Sequence, residues 1–258
     1  MTTRFEDTLS KVPAVTLGFW IIKILATTLG ETGGDTVSMT LNAGYLVGTA
    51  IFLPALIVLV FLQIRARRFH PLLYWSTIIA STMAGTTLAD YATRSLGIGY
   101  PGGSLMLFAL VLLCLTAWRL SSGRIASDDI RRPRDEMFYW ATITASQTLG
   151  TALGDWTADT GGLGYLGAAA IFAGLLAVVA GLYFRTRISR GALFWAAFIL
   201  TRPLGAAVGD FLDKPLDHGG LALSRPIASA VLLALMVVLI LMLPQRAGGH
   251  PTDRPVTT

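Results

Sequence analysis

Apolar residues run along this chain in eight stretches of about 20, at roughly 13–34, 44–64, 72–93, 102–120, 137–158, 164–184, 191–212 and 224–243. About 20 helical residues cross a hydrocarbon layer some 30 Å thick, so the pattern predicts eight transmembrane helices. The first stretch is not expected to be a cleaved signal peptide. The charges before it are mixed (Arg4, Glu6, Asp7, Lys11), and it is long, with glycines and two acids at its far end. Residues 244–258 hold prolines, glycines and threonines and are expected to form a flexible tail.

The odd-numbered stretches are copies of one another. Each opens on an aromatic–Trp pair: Phe19–Trp20, Tyr74–Trp75, Tyr139–Trp140 and Phe194–Trp195. Ten residues after each Trp comes Gly30, Gly85, Gly150 or Gly205; fourteen after it Gly34, Ala89, Gly154 or Gly209; fifteen after it Asp35, Asp90, Asp155 or Asp210. A Gly-Tyr pair follows at 44–45, 99–100 and 164–165, whereas the fourth unit has Gly219–Gly220–Leu221 in a longer loop. The fold class is therefore all-α, built as four two-helix repeats (12–68, 70–120, 135–187 and 190–243) in a single membrane domain. An even number of spans per unit gives successive units one orientation, so the repeats are parallel and related by an axis along the membrane normal. They could ring one fourfold axis or pair as two halves; the charged stretch 121–136, with Pro133, reads as a linker between halves.

These motifs resemble a bacterial membrane-protein family of unknown function, built from four tandem two-helix repeats, each with a characteristic tryptophan. The resemblance covers residues 12–243. It implies the fold and a bacterial membrane location and says almost nothing of activity.

Composition agrees. Charged residues make up 14% of the 258, against about 25% in soluble domains, and mean hydropathy is +0.63. A soluble enzyme is excluded, and the single cysteine, Cys114, rules out an intramolecular disulfide. The net charge of +5 does not point to nucleic acid, because the basic residues lie between apolar runs. Arg4, Lys11, Arg65, Arg67, Arg68, Arg119, Arg124, Arg131, Arg132, Arg134, Arg185, Arg187, Arg190, Arg246 and Arg254 fall on one side of the expected topology, and only Arg94 and Lys214 on the other. That asymmetry predicts that both termini face the cytoplasm, and the resemblance implies the bacterial inner membrane.

Candidate chemistry follows the repeat. The +10 and +14 positions form a small-xxx-small face, the device by which helices approach closely in lipid. Seven and eleven residues past each Trp stand Thr27, Thr82, Gln147 and Arg202, then Glu31, Thr86 and Thr151; Thr28 and Thr148 lie beside them at +8. Steps of four stay on one helical face, and intramembrane polar groups face the bundle interior, so these residues are expected to line a polar path. Fifteen residues of rise put each Asp about 22 Å beyond its Trp. Two roles stay open for the aspartates: local capping of the turn that follows, or convergence, with Glu31, into a cation- or proton-binding cluster. Lys23, one turn from its Trp, is expected to snorkel to headgroups, and the four tryptophans to anchor the lipid interface. Arg202 is expected to pair with an acid or with Gln147 and the threonines. His70 and His218 fall on opposite sides, His250 lies in the tail, and no hydrolase or phosphate-binding motif is present. No enzymatic activity and no organic cofactor are expected. The reading is a transporter of a small cation, a divalent metal among the candidates, coupled to protons. A cation channel with an acidic ring, and a non-transporting scaffold or stress-response subunit, are the alternatives. Expected partners are the lipid bilayer and the cation or proton; an oligomer is left open.

Overall fold

A computed structural model describes residues 10–123, 125, 130 and 132–248. Eight α-helices occupy the eight apolar stretches: α1 Leu17–Asp35, α2 Tyr45–Arg65, α3 Pro71–Asp90, α4 Gly99–Ser122, α5 Pro133–Asp155, α6 Gly164–Arg185, α7 Arg190–Asp213 and α8 Arg225–Met242. Five of them, α2, α4, α6, α7 and α8, are long and apolar enough to cross a membrane. Threonine, glycine and acidic residues lower the apolarity of α1, α3 and α5, and these polar positions are the ones the fold buries.

The odd helices close a ring. α1 packs on α3, α3 on α5, α5 on α7, and α7 returns to α1. Each even helix lies against the odd helix of the following repeat: α2 on α3, α4 on α5 and α6 on α7, while α8 completes the circuit on α1. Of the two arrangements the sequence allows, the chain adopts four units around one axis.

The repeat residues build this ring position by position. A Cβ on Gly30 would lie 2.3 Å from Thr82, on Gly85 3.0 Å from Gln147, on Gly150 2.4 Å from Arg202, and on Gly205 2.2 Å from Thr27. The +10 glycine of every odd helix thus receives the +7 side chain of the next, all the way round. One turn further, Gly34 meets Thr86, Gly154 meets Ala206 and Gly209 meets Glu31, while Ala89 shares a buried cluster with Leu149 and Ala152. Close backbone approach is what small residues supply in a helical seam.

The aromatic–Trp pairs follow the same rule. Phe19 packs on Trp75 (ring centroids 5.6 Å apart), Tyr74 on Trp140 (5.6 Å), Tyr139 on Trp195 (5.8 Å) and Phe194 on Trp20 (5.8 Å). The expected lipid-facing belt is therefore corrected: Trp75, Trp140 and Trp195 are buried, and only Trp20 is partly exposed. A ring drawn in by a neighbouring aromatic contributes contact area that a lipid-facing ring would not.

This aromatic layer closes one end of the ring, and the segments around residues 11–14 and 244–248 cover it. Val12 and Ile130 are buried in the same core. Lys11 Nζ donates to Glu136 (2.9 Å) and to the Ile64 carbonyl (2.8 Å). Pro13 and Ala247 form an antiparallel bridge, and Trp75 Nε1 donates to Gln245 Oε1 (3.1 Å). The first part of the expected loose tail, 244–248, is thus pinned to the segment before α1. Ile130, inside the expected linker, plugs the core. Arg4, Arg124, Arg131, His250 and Arg254, with the rest of the tail, lie outside the described residues.

Candidate functional site

At the other end of the ring the four repeat aspartates come together. In α1, α3 and α5 the aspartate is the last α-helical residue, and five-residue π-turns follow at Thr36–Thr40, Tyr91–Ser95 and Trp156–Thr160. The side chains of Asp35, Asp90 and Asp155 make no capping hydrogen bond to these turns, so local capping is not their role. π-turns are uncommon and concentrate at functional sites. α7 has none and continues as α-helix to Asp213.

All four aspartates are buried and joined in two pairs. Arg94 holds Asp90 through Nε (3.0 Å) and Asp155 through Nη2 (3.0 Å), with Nη1 donating to Tyr45 Oη (3.4 Å) and the guanidinium over the Tyr100 ring. Lys214 Nζ stands 2.9 Å from both Asp35 Oδ2 and Asp210 Oδ1. Arg225 Nε lies 3.4 Å from Asp213 Oδ2 and 3.9 Å from Asp35 Oδ2. Burial opposes the charge on Lys214, but Asp210, Asp35 and Asp213 outweigh it and hold the ammonium well above the usual lysine range.

The bridging cations share one position of the repeat. Nineteen residues after each Trp stand Met39, Arg94, Asp159 and Lys214. Repeats two and four each carry a base one turn past the aspartate, shared with the aspartate of the next repeat. A fourfold backbone thereby carries a twofold charge pattern.

One turn inward, oxygens of Glu31, Asp35 and Asp210 lie within 4.8 Å of one another. Glu31 is paired with Arg202, whose guanidinium is fully buried and fills the ring axis. Arg202 Nη2 donates to Glu31 Oε2 (2.8 Å), to Thr86 Oγ1 (2.6 Å) and to Thr151 Oγ1, and Nη1 donates to the Thr27 carbonyl (3.3 Å). One arginine thus ties α7 to α1, α3 and α5.

Further in, Lys23 is buried. Its Nζ sits 4.2 Å over the Phe198 ring and 3.5 Å from Gln147 Oε1. The expected snorkelling is overturned, because Lys23 stands on the face of α1 that turns into the ring, against Phe198 and Gln147.

The polar lining also divides. Thr86, Thr151 and Arg202 meet around the axis, while Gln147 accepts from Lys23 further in. Thr82 and Thr27 bond carbonyls of their own helices (Ile79 and Ile24, both 2.8 Å) and share the same hydroxyls across the glycine seams with the Ala26 (3.3 Å) and Thr201 (3.2 Å) carbonyls. Thr28 and Thr148 bond carbonyls one turn back in their own helices. A groove of about 660 Å³ between α1, α6 and α7, lined by Trp20, Tyr183 and Phe194, opens on the outer surface near the aromatic layer; it does not reach the acids.

A family model described as a repeat of unknown function (DUF347) matches residues 18–69, 73–124, 138–189 and 193–246. Comparison with curated proteins and with solved structures finds no match.

Proposed function

The chain belongs to the DUF347 repeat family, whose repeat carries no assigned activity, and we propose its function from the site itself: a multi-pass membrane transporter that exchanges a small cation for protons. In this reading the eight helices span the bilayer as four parallel repeats, with both termini cytoplasmic and the aspartates toward the outside. The basic loops support that orientation, since cytoplasmic loops concentrate lysine and arginine.

One observation carries the proposal: five buried carboxylates from four repeats meet at one end of a closed ring. With Asp213 the acids number six, against Arg94, Arg202, Lys214 and Arg225. Six against four leaves an excess of two negative charges at this end if all are ionised, or of one if the buried Lys23 further in is counted. Buried uncompensated charge is costly, so the excess calls for a bound cation or for protons. Either can exchange with the other at the same oxygens. Carboxylate oxygens suit hard cations such as Ca²⁺, Mg²⁺ and Mn²⁺. Arg202 across the axis and the aromatic layer beyond it obstruct a continuous pore, which favours a carrier over a channel.

A second reading, the non-transporting scaffold, draws on the pairing of every aspartate with a resident base. Flux separates the two. Reconstituted in liposomes, the protein is expected to move Mn²⁺, Ca²⁺ or Na⁺ against a proton gradient, with Asp35→Asn and Asp210→Asn lowering the rate at least tenfold. No flux for any of these cations, or undiminished flux in both variants, rejects the transporter.

A further inference from the structure

The two cations that bridge the aspartates are not equivalent. Arg94 is clamped by two carboxylates, a tyrosine hydroxyl and a tyrosine ring, and a guanidinium's fixed fork suits a permanent bidentate bond. Lys214 is a compact ammonium on a flexible stem, facing a half-site with an additional acid. Its backbone is held, with its N–H donating to Asp210 O (2.8 Å) and its carbonyl accepting from Ala222 N–H (2.9 Å). Its side chain, held by Asp35 and Asp210, would leave them by swinging past the exposed turn that begins at Pro215.

Two further features belong to this half-site, the first of them shared with Asp90 and Asp155 opposite and the second its own. Asp35 Oδ1 is buried and makes no hydrogen bond, although its partner oxygen receives Lys214. An unpaired carboxylate oxygen in such a place is costly, and Asp35 belongs to the cluster in which Glu31, Asp35 and Asp210 each bring one oxygen within 4.8 Å of the others. Ligands about 2.4 Å from a shared ion stand at most about 4.8 Å apart. The three acids therefore sit at the spacing one divalent ion spans.

We propose that Lys214 is a tethered counter-cation that a divalent, oxygen-seeking ion displaces from Asp35 and Asp210, so that the protein carries its own competitor for the site. The inference rests on the cation-binding reading above and adds which residue leaves when the ion arrives. Binding exchanges one positive charge for two, and the freed ammonium moves to the water-facing loop. In the ion's absence the lysine holds Asp35 and Asp210 together across the ring.

The test uses the full chain in detergent, titrated calorimetrically with Mn²⁺ and separately with Ca²⁺. Lys214→Met is expected to bind at least tenfold more tightly than the unaltered protein, Lys214→Arg no more tightly, and Asp35→Asn in the Lys214→Met background at least tenfold more weakly. A second measurement needs no variant: acylation of the Lys214 amine by a water-soluble reagent, followed by mass spectrometry, should rise severalfold when Mn²⁺ or Ca²⁺ saturates the protein. Ion binding with unchanged affinity in Lys214→Met, or with no rise in Lys214 labelling, overturns the tethered competitor and leaves transport standing. No binding of either ion, together with no flux in liposomes, overturns both.

Discussion

Arg202 shows how far one side chain can determine an interior. It bridges four helices from the ring axis, and its charge is compensated by Glu31, found only in the first repeat. Removing one member of a buried pair leaves the other uncompensated, at about 3–5 kcal/mol, whereas replacing both by apolar groups is often near neutral. Arg202→Met should accordingly lower the melting temperature in detergent sharply, and Glu31→Gln added to it should recover most of the loss. Additive destabilisation in that double-mutant cycle would show the two residues acting independently. The pairing of Arg202 with an acid was legible in its sequence position, since an arginine so far from the helix ends needs a partner. The fate of Lys23 was not: one turn from the partly exposed Trp20, it stands on the face of α1 that turns into the ring against Phe198 and Gln147, and which face turns inward is set by the neighbouring helices.

Between helices, the controlling feature is the seam where a +10 glycine accepts the next helix's +7 side chain. A methyl group on Gly205 would fall 2.8 Å from the Thr27 backbone carbon as well as on its hydroxyl, so rotation of Thr27 cannot relieve it. Gly205→Ala should cost about 1–3 kcal/mol, the usual range for overpacking. Gly174, on the outward face of α6, has nothing within 4 Å of a Cβ, and there alanine should be neutral or stabilising by up to about 1 kcal/mol. Parallel melting curves check both; equal effects at the two sites would deny the seam its role. A small-xxx-small spacing announces that a helix packs tightly, but spacing within one helix carries no information on which neighbour it meets. That is why the stripe was readable and its cyclic partner was not. The same holds for Arg94 and Lys214: two bases in sparse outer loops look like solvated charge until the ring sets each one between two aspartates.

For the whole molecule, the arrangement separates an aromatic end covered by the segments around residues 11–14 and 244–248 from an acidic end closed by Arg94, Lys214 and Arg225. If the acidic end faces outward, a cysteine replacing the exposed Asp217 should react with an impermeant maleimide in intact cells, and one replacing the exposed Arg67 only after permeabilisation, each in a Cys114→Ser background. The reverse pattern would invert the topology and put the acids on the cytoplasmic side. The circuit of the outer helices has a separate consequence. Because every outer helix rests on the inner helix of the following unit, with the last reaching back to the first, no hairpin is complete in isolation. A chain of only two units would have one helix without a host and one groove without a cover, each matching what its twin lacks, so a half-length relative would become whole only by joining a second molecule of its own kind.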